Sequence, residues 1–302
     1  MEDGVSSPLD PKKTETSPHE PRKFPRLDTR LLVHEEVLSL RKRSYTYGQI
    51  AEEIEREYNV KLCKATISSW VRRLNSPVRA GHMFVPKPSP ELAYVIGVET
   101  GDAFLNVKWK TYQYRIRLRA VDREFVEAFN QAVSKVLGCA PHKLWKGKTE
   151  RETHVEFGSY LLHKFLLQNL QKLKPFIEYD KNCVAAFAKG FFDSEECIER
   201  SGRLTATNTD VELLQYVRHL MKKFFGIEST GTHLGTKKGS ILTRRGRSYV
   251  RNSDCFLIYI RRASVGIFHR EIGMTILRKA DRLEKFLALQ ESRSSKKWVG
   301  VK

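Results

Sequence analysis

The apolar residues between positions 28 and 76 recur at the spacing of an α-helix and predict three short helices. The first covers roughly 28–43, and the second begins after Thr46, whose hydroxyl can cap the free amides of a helix start. The third, 65–74, turns its apolar residues inward, Leu74 included. It presents small polar and basic residues outward: Ser68, Ser69, Arg72 and Arg73. That pattern suits a helix entering the major groove of DNA; the alternative is a packed three-helix unit with a solvated basic face.

Two segments of this region, YGQIAEEI at 47–54 and TISSWV at 66–71, resemble the helix-turn-helix modules of recombinases and small repressors. The resemblance implies a small all-α DNA-binding domain over 28–76. Residues 1–27 are rich in proline, serine, threonine and charge, so we expect a disordered arm there. Four prolines and a glycine within 77–90 predict a linker over 77–89.

Residues 90–290 carry one pattern of elements twice, αββαββα, which predicts an α+β fold. The first half covers 90–178, the second 179–290, and a basic tail follows at 291–302. A repeat of about ninety residues is too long for a solenoid and suits two fused halves related by a pseudo-twofold axis.

The first helix of each half carries a row of small residues and then an acid. The rows are Ala93, Gly97 and Gly101 in the first half and Ala186, Gly190 and Ser194 in the second. Small residues at this spacing let two helix backbones approach closely, which would bring Asp102 and Glu195 together at one end. Two neighbouring carboxylates repel each other, and a divalent cation between them relieves that repulsion. The alternative is a tight core contact with two solvated acids.

These motif helices, their acids and the repeat order strongly resemble the LAGLIDADG homing endonucleases in their single-chain, two-motif form, over about 200 residues from Pro90 to Leu289. The resemblance implies two pseudo-symmetric halves that form a saddle straddling duplex DNA, each contributing a four-stranded antiparallel sheet. It also implies that Asp102 and Glu195 are catalytic acids holding Mg²⁺ (or Mn²⁺). Arg262, or Arg261, stands where the family often has a lysine after the last strand and would help organise the catalytic water.

The sequence departs from the family pattern at several positions. Ala103 and Glu196 follow the two acids where the family usually has glycine, and Glu99 occupies a position that is usually apolar or small. The first half has no basic residue at the stretch corresponding to Arg262. These departures indicate that one cleavage centre is weak, or that the chain binds DNA without cutting it.

Composition points to a polyanionic partner. The chain has 54 lysines and arginines against 35 acidic residues, a net charge of +19 and a pI near 9.7. A hydrophobic content of 40% excludes a fully disordered chain. No apolar run is long enough to span a membrane, so we expect no membrane partner. Five scattered cysteines argue against a disulfide framework or a structural zinc site and fit a reducing compartment: cytoplasm, with the protein on the nucleoid, or an organelle in a eukaryote.

Basic residues on predicted strands and loops provide the expected DNA surface. Residues 114–119 alternate apolar and basic side chains, which places three arginines on one face, where they repel unless an anion covers them. A Gly/Ser-rich basic connection in the second half is expected to be a flexible loop that orders on phosphates. The DNA-contacting residues so predicted are Lys108, Lys110, Arg115, Arg117, Arg119, Lys143, Lys146, Lys148, Arg203, Lys237, Lys238, Arg244, Arg245, Arg247, Arg251 and Arg261.

Three functions fit these patterns. The first is a monomeric, site-specific endonuclease that cuts both strands of duplex DNA at a long recognition site. The second is a catalytically weakened DNA-binding regulator, or a nickase, on the same scaffold. The third is a maturase that assists RNA splicing and takes intron RNA as its partner.

Overall fold

The computed structural model describes residues 27–75, 77, 84–108, 113–147, 151–198, 203–244 and 247–299. It divides the chain into two compact units, residues 1–80 and 81–302. Within the described residues, no helix is both long and apolar enough to cross a bilayer. Lys110, Lys148 and Arg245 lie outside the described residues, as does almost all of the predicted arm; Lys108, Arg244 and Arg247 are described in their backbone only.

In its described residues, the first unit is a bundle of three helices: α1 (Leu27–Lys42), α2 (Tyr47–Tyr58) and α3 (Lys64–Val71). Thr46 caps α2 through a capping box with Gln49. The helices share one buried cluster: Val33, Val37, Leu40, Ile50, Ile54, Ile67 and Trp70. Leu74, predicted to point inward, is instead 74% exposed, because α3 ends at Val71 and Arg73 adopts a left-handed conformation (φ 58°) that turns the chain away.

The second unit contains the predicted α+β repeat. Its first half consists of α4 (Pro90–Glu99), β1 (Phe104–Lys108), β2 (Gln113–Ala120), α5 (Arg123–Leu137), β3 (Trp145–Lys146), β4 (Thr153–Gly158), α6 (Tyr160–Leu166) and α7 (Leu170–Ile177). Its second half consists of α8 (Lys181–Glu195), β5 (Glu196–Ile198), β6 (Leu204–Asn208), α9 (Val211–Phe225), β7 (His233–Thr236), β8 (Ile241–Arg244), β9 (Arg247–Val250), β10 (Cys255–Tyr259), α10 (Val265–Glu271) and α11 (Leu277–Val299).

The two halves build matching antiparallel sheets. The strand orders are β1-β2-β4-β3 and β5-β6-β10-β7, so β4 and β10 occupy equivalent places. The helices α5 and α9 are both 15 residues long, and each ends at a left-handed glycine, Gly138 or Gly226. This correspondence confirms the α+β fold and the duplicated order of elements.

The second half differs from the prediction in two places. The basic connection expected to be a flexible loop contains an antiparallel ribbon, β8–β9, in which Ile241 pairs with Val250. The last helix of the predicted αββαββα pattern is broken between Glu271 and Leu277, where Gly273 is left-handed (φ 64°). Because α11 continues to Val299, most of the segment expected to be a tail is helical.

Candidate functional site

The helices α4 and α8 cross with their backbones in direct contact. A Cβ atom added at Gly97 would lie 2.2 Å from the carbonyl oxygen of Phe187, and one at Gly190 would lie 2.5 Å from that of Tyr94. Both distances are far shorter than real Cβ contacts, so only glycine fits at either position. The row of small residues therefore forms the close helix contact that the sequence predicts.

This crossing brings the two motif acids together. A Cβ on Gly101, which precedes Asp102, would lie 3.1 Å from the Cγ atom of Glu195. Burial, reinforced by the negative charge of Asp102, raises the pKa of Glu195 to about 7. Desolvation by the surrounding protein also raises the pKa of Asp102, although its side chain reaches solvent. The charge of Asp102 thus acts on Glu195 at a partly desolvated site.

The donor set of this acid pair fits a hard divalent cation. Carboxylate oxygens are the ligands that Mg²⁺ and Mn²⁺ prefer, and Mg²⁺ usually takes one or two of them with water and substrate phosphate completing its shell. Among the described residues, no cluster of three or more His, Cys, Asp or Glu could hold a metal, so the pair offers a partial shell. Such an open shell suits an ion that also contacts a substrate.

A buried network beneath the acids was missed by the sequence analysis. Asp193 accepts hydrogen bonds from the Tyr94 hydroxyl (3.1 Å) and from the Thr275 amide (2.8 Å). Lys279 is 5% exposed, and its Nζ atom donates to the carbonyl oxygens of Asp193 (2.9 Å) and Phe192 (3.3 Å). A signal for Lys279 exists in the sequence: it falls on the apolar stripe of α11 with Leu283, where a lysine is unusual.

The positive charge that reaches the acid pair comes from Lys279, which lowers the pKa of both Asp102 and Glu195 against the larger effect of burial. Arg262, expected to fill a catalytic role, is exposed and places its guanidinium 5.4 Å from the centre of the Phe286 ring. Arg261 precedes, and Arg262 begins, a 3₁₀ turn at Arg262–Ser264. Within the described part of the chain, no hydrogen bond or ion pair joins either arginine to either acid.

The predicted arginine face of the first sheet exists, but its charges are paired within the protein. Ile116 and Leu118 are buried, so the alternating Arg115, Arg117 and Arg119 lie on the other face of β2. Glu156 on β4 binds both Arg115 (3.2 Å) and Arg117, and Glu152 binds Arg119 (3.6 Å). Glu156 on β4 and Glu152 just before it thus offset part of the charge of the three arginines within the protein, and contact of this face with DNA stays a prediction.

The short strand β3 places its two residues on opposite faces of the first sheet. Lys146 pairs in register with Thr153, a buried residue, and donates to its hydroxyl (3.3 Å), so it lies on the face of Thr153 rather than on the arginine face. Trp145 is 42% exposed, and its register partner His154 is also that of Arg119. An exposed indole therefore belongs to the arginine face of the first sheet. Lys143, in the loop before β3, is exposed.

The second sheet carries less charge on the equivalent face. Arg203 holds its guanidinium 4.9 Å from the centre of the Tyr259 ring. Lys237 and Lys238, between β7 and β8, are exposed, whereas Arg251 is half-buried. Arg244 and Arg247 form the last register pair of the ribbon. Most of the basic residues of the second half that were predicted to contact DNA thus lie in or beside the ribbon.

In the first unit, four polar and basic residues in and just after α3, the predicted recognition helix, were predicted to contact DNA. Ser68 and Ser69 are half-buried on α3, while Arg72 and Arg73 are exposed at its C-terminal end. Their contact with DNA stays a prediction.

Comparisons with known proteins give the following similarities. A family model described as a LAGLIDADG-like domain matches residues 182–273. The uncharacterized protein MJ0398 of Methanocaldococcus jannaschii is 37% identical over 255 residues, which cover 83% of this chain and 91% of the relative. A solved structure of the homing endonuclease I-DmoI in complex with DNA and Ca has a TM-score of 0.46 at 17% identity and covers 65% of this chain and 97% of that one. Full-length DUF199/WhiA from Thermatoga maritima has a TM-score of 0.42 at 17% identity, covering 68% of this chain and 63% of that one.

Proposed function

The chain belongs to the LAGLIDADG family, and from this premise we propose that it is a metal-dependent endonuclease acting on duplex DNA. The observation that carries the proposal is the acid pair: Asp102 and Glu195 come from two different halves and meet at the end of the glycine crossing. A symmetric pair of acids, one from each half, suits a substrate with two antiparallel strands to cut. The net charge of +19 supports a nucleic-acid partner.

The residues of the chain have distinct parts in this proposal. Asp102 and Glu195 would hold the divalent ions, and the glycine crossing fixes their separation. Bound there, Mg²⁺ or Mn²⁺ would polarise the scissile phosphate and lower the pKa of an attacking water. The arginine face of the first sheet and the basic ribbon of the second half would bind the backbone on either side.

The experiment begins with a duplex selected from a random library by the full chain in Ca²⁺, then incubated with Mg²⁺. We expect cleavage of both strands by the wild type, and binding without cleavage by Asp102→Asn and Glu195→Gln. Glu127→Gln is the matched control, because this acid forms an exposed ion pair with Arg123 on α5 (2.7 Å); it should cut normally. Undiminished cleavage by a double variant of the two acids would disprove the assignment.

A second function is favoured by one specific observation. Lys279 already supplies positive charge to the acid pair, which is part of what a metal would do. A regulator that binds DNA without cutting it would have this arrangement. Selection of a specific duplex with equal affinity in Ca²⁺ and in EDTA, and no cleavage in Mg²⁺ or Mn²⁺, would establish the regulator instead. Preference for intron RNA as competitor would identify the maturase.

A further inference from the structure

The first turn of α11 joins elements from both halves of the second unit. Arg278 binds Asp122 of the first half with two hydrogen bonds (2.6 and 2.8 Å), and the amide of Leu277 donates to Glu124 (3.0 Å). One residue further on, Lys279 donates to the last turn of α8 in the second half. The turn therefore ties the start of α5 to the end of the second motif helix.

The position of Lys279 is electrostatically specific. Its ammonium lies at the C-terminal end of α8, where backbone carbonyls carry partial negative charge, and its carbonyl partners end two residues before Glu195. Burying an ammonium is costly unless negative groups offset its charge; here two backbone carbonyls accept its hydrogen bonds, and the charges of three carboxylates interact with it: Asp102, Asp193 and Glu195. The lysine is thus buried among the acids that the crossing assembles.

We propose that Lys279 is a positioning residue that offsets the charge of Asp102 and Glu195 while no divalent ion is bound, so that a DNA phosphate can approach the pair. The proposal rests on the proposed function in taking duplex DNA as the ligand. It implies that the charge of the lysine and a bound metal ion each offset the acids in part, so that either helps DNA to bind.

If the lysine and the metal offset the same acids, mutation of Lys279 should weaken DNA binding mainly when no metal is bound. Lys279→Gln keeps a donor for the carbonyls of α8 but removes the charge, and Lys279→Met removes both. Without metal, at a pH well above the pKa of Glu195, either variant leaves two carboxylates opposing the phosphates, and we expect DNA affinity to fall about tenfold. With Ca²⁺ bound, the deficit should shrink to less than about threefold, since the ion neutralises the same acids.

The test measures the affinity of the full chain for its selected duplex by fluorescence anisotropy, in EDTA and in Ca²⁺. Lys279→Arg, which keeps the charge, should restore metal-free binding, and adding Glu195→Gln to Lys279→Gln should do the same. Lys285→Met is the matched control: this lysine is exposed on the same helix, and its loss should weaken binding equally and slightly with and without Ca²⁺. Thermal unfolding of each variant verifies that it is folded.

Each outcome of these measurements supports or overturns the proposal. Equal weakening of Lys279→Gln in EDTA and Ca²⁺ would show a purely structural lysine and overturn the proposal, as would metal-free affinity equal to that of the wild type. Should Lys279→Met not fold, Lys279→Gln and Lys279→Arg give the same comparison. A wild type that binds DNA but never cuts it would overturn the nuclease proposal while leaving this coupling measurable; a wild type that binds no DNA overturns both.

Discussion

At the scale of single residues, Glu99 shows how the motif helix tolerates an acid where its family usually has an apolar or small residue. Burial raises the pKa of Glu99 to about 7, and the charge of neither motif acid contributes. In an unfolded chain a glutamate has a pKa of about 4.3. Between these values the folded protein binds more protons than the unfolded one, so this residue makes stability fall as pH rises.

We therefore expect Glu99→Gln to stabilise the protein at pH 8, by about 1–3 kcal/mol, and to have little effect at pH 4, where the carboxyl is protonated in both states. The measurement is urea unfolding of variant and wild type at both pH values. Glu91→Gln is a control of opposite sign: burial opposes ionisation of Glu91, but hydrogen bonds from its own amide and from Lys135 prevail and lower its pKa. That variant should lose stability at pH 8. An equal gain for Glu99→Gln at both pH values would contradict the argument.

The residues of the site differ in how far the sequence could reveal them. Asp102 and Glu195 could be placed together because two rows of small residues, each followed by an acid, allow one packing. Lys279 could not be placed with them, because its hydrogen bond to the Asp193 carbonyl oxygen spans 86 residues and depends on the break before α11. Gly273 is a weak sequence signal for this break between α10 and α11, and no break was predicted from it.

At the scale of elements, strand alternation predicted the arginine face of β2 correctly but left its partners unknown. Alternation along one strand gives the face of each residue, whereas the ion pairs depend on the register between β2 and β4. That register sets Glu156 opposite Arg117 and beside Arg115. The face of Lys146 could not be predicted at all, since a two-residue strand has no alternation from which to read a face.

This pairing gives a prediction about salt dependence. Glu156→Gln removes the shared anion of Arg115 and Arg117, so both become free to contact phosphates. We expect tighter DNA binding at low salt and a steeper dependence of affinity on salt, with the log–log slope changing by about −0.9 for each phosphate gained. Affinities at four or more salt concentrations measure the slope. Glu127→Gln, which breaks an exposed pair on α5, should leave the slope unchanged; an unchanged slope for Glu156→Gln would mean that this face does not meet DNA.

At the scale of the whole molecule, the chain combines two units with separate hydrophobic clusters. The helical unit relies on seven buried apolar residues, whereas the second unit has a far larger cluster that runs through both halves and the motif crossing. The division into units falls after Ala80, and the linker over 77–89 stays a prediction drawn from its prolines and glycine. Small domains bury a smaller fraction of their surface and are correspondingly less stable.

Two units of such unequal size should unfold in two steps. We expect calorimetry of the full chain to show a small transition at lower temperature, from the helical unit, and a larger one at higher temperature. Deleting residues 1–80 should abolish only the small transition, because the second unit keeps its cluster, its crossing and both acids. If the helices read DNA, the deletion should also shorten the protected segment in a footprint while leaving metal-dependent cleavage intact. The substitution Ile54→Ala, which opens a cavity in the small cluster, should lower only the first transition. A single transition shifted as a whole by Ile54→Ala would show that the two clusters unfold as one cooperative structure.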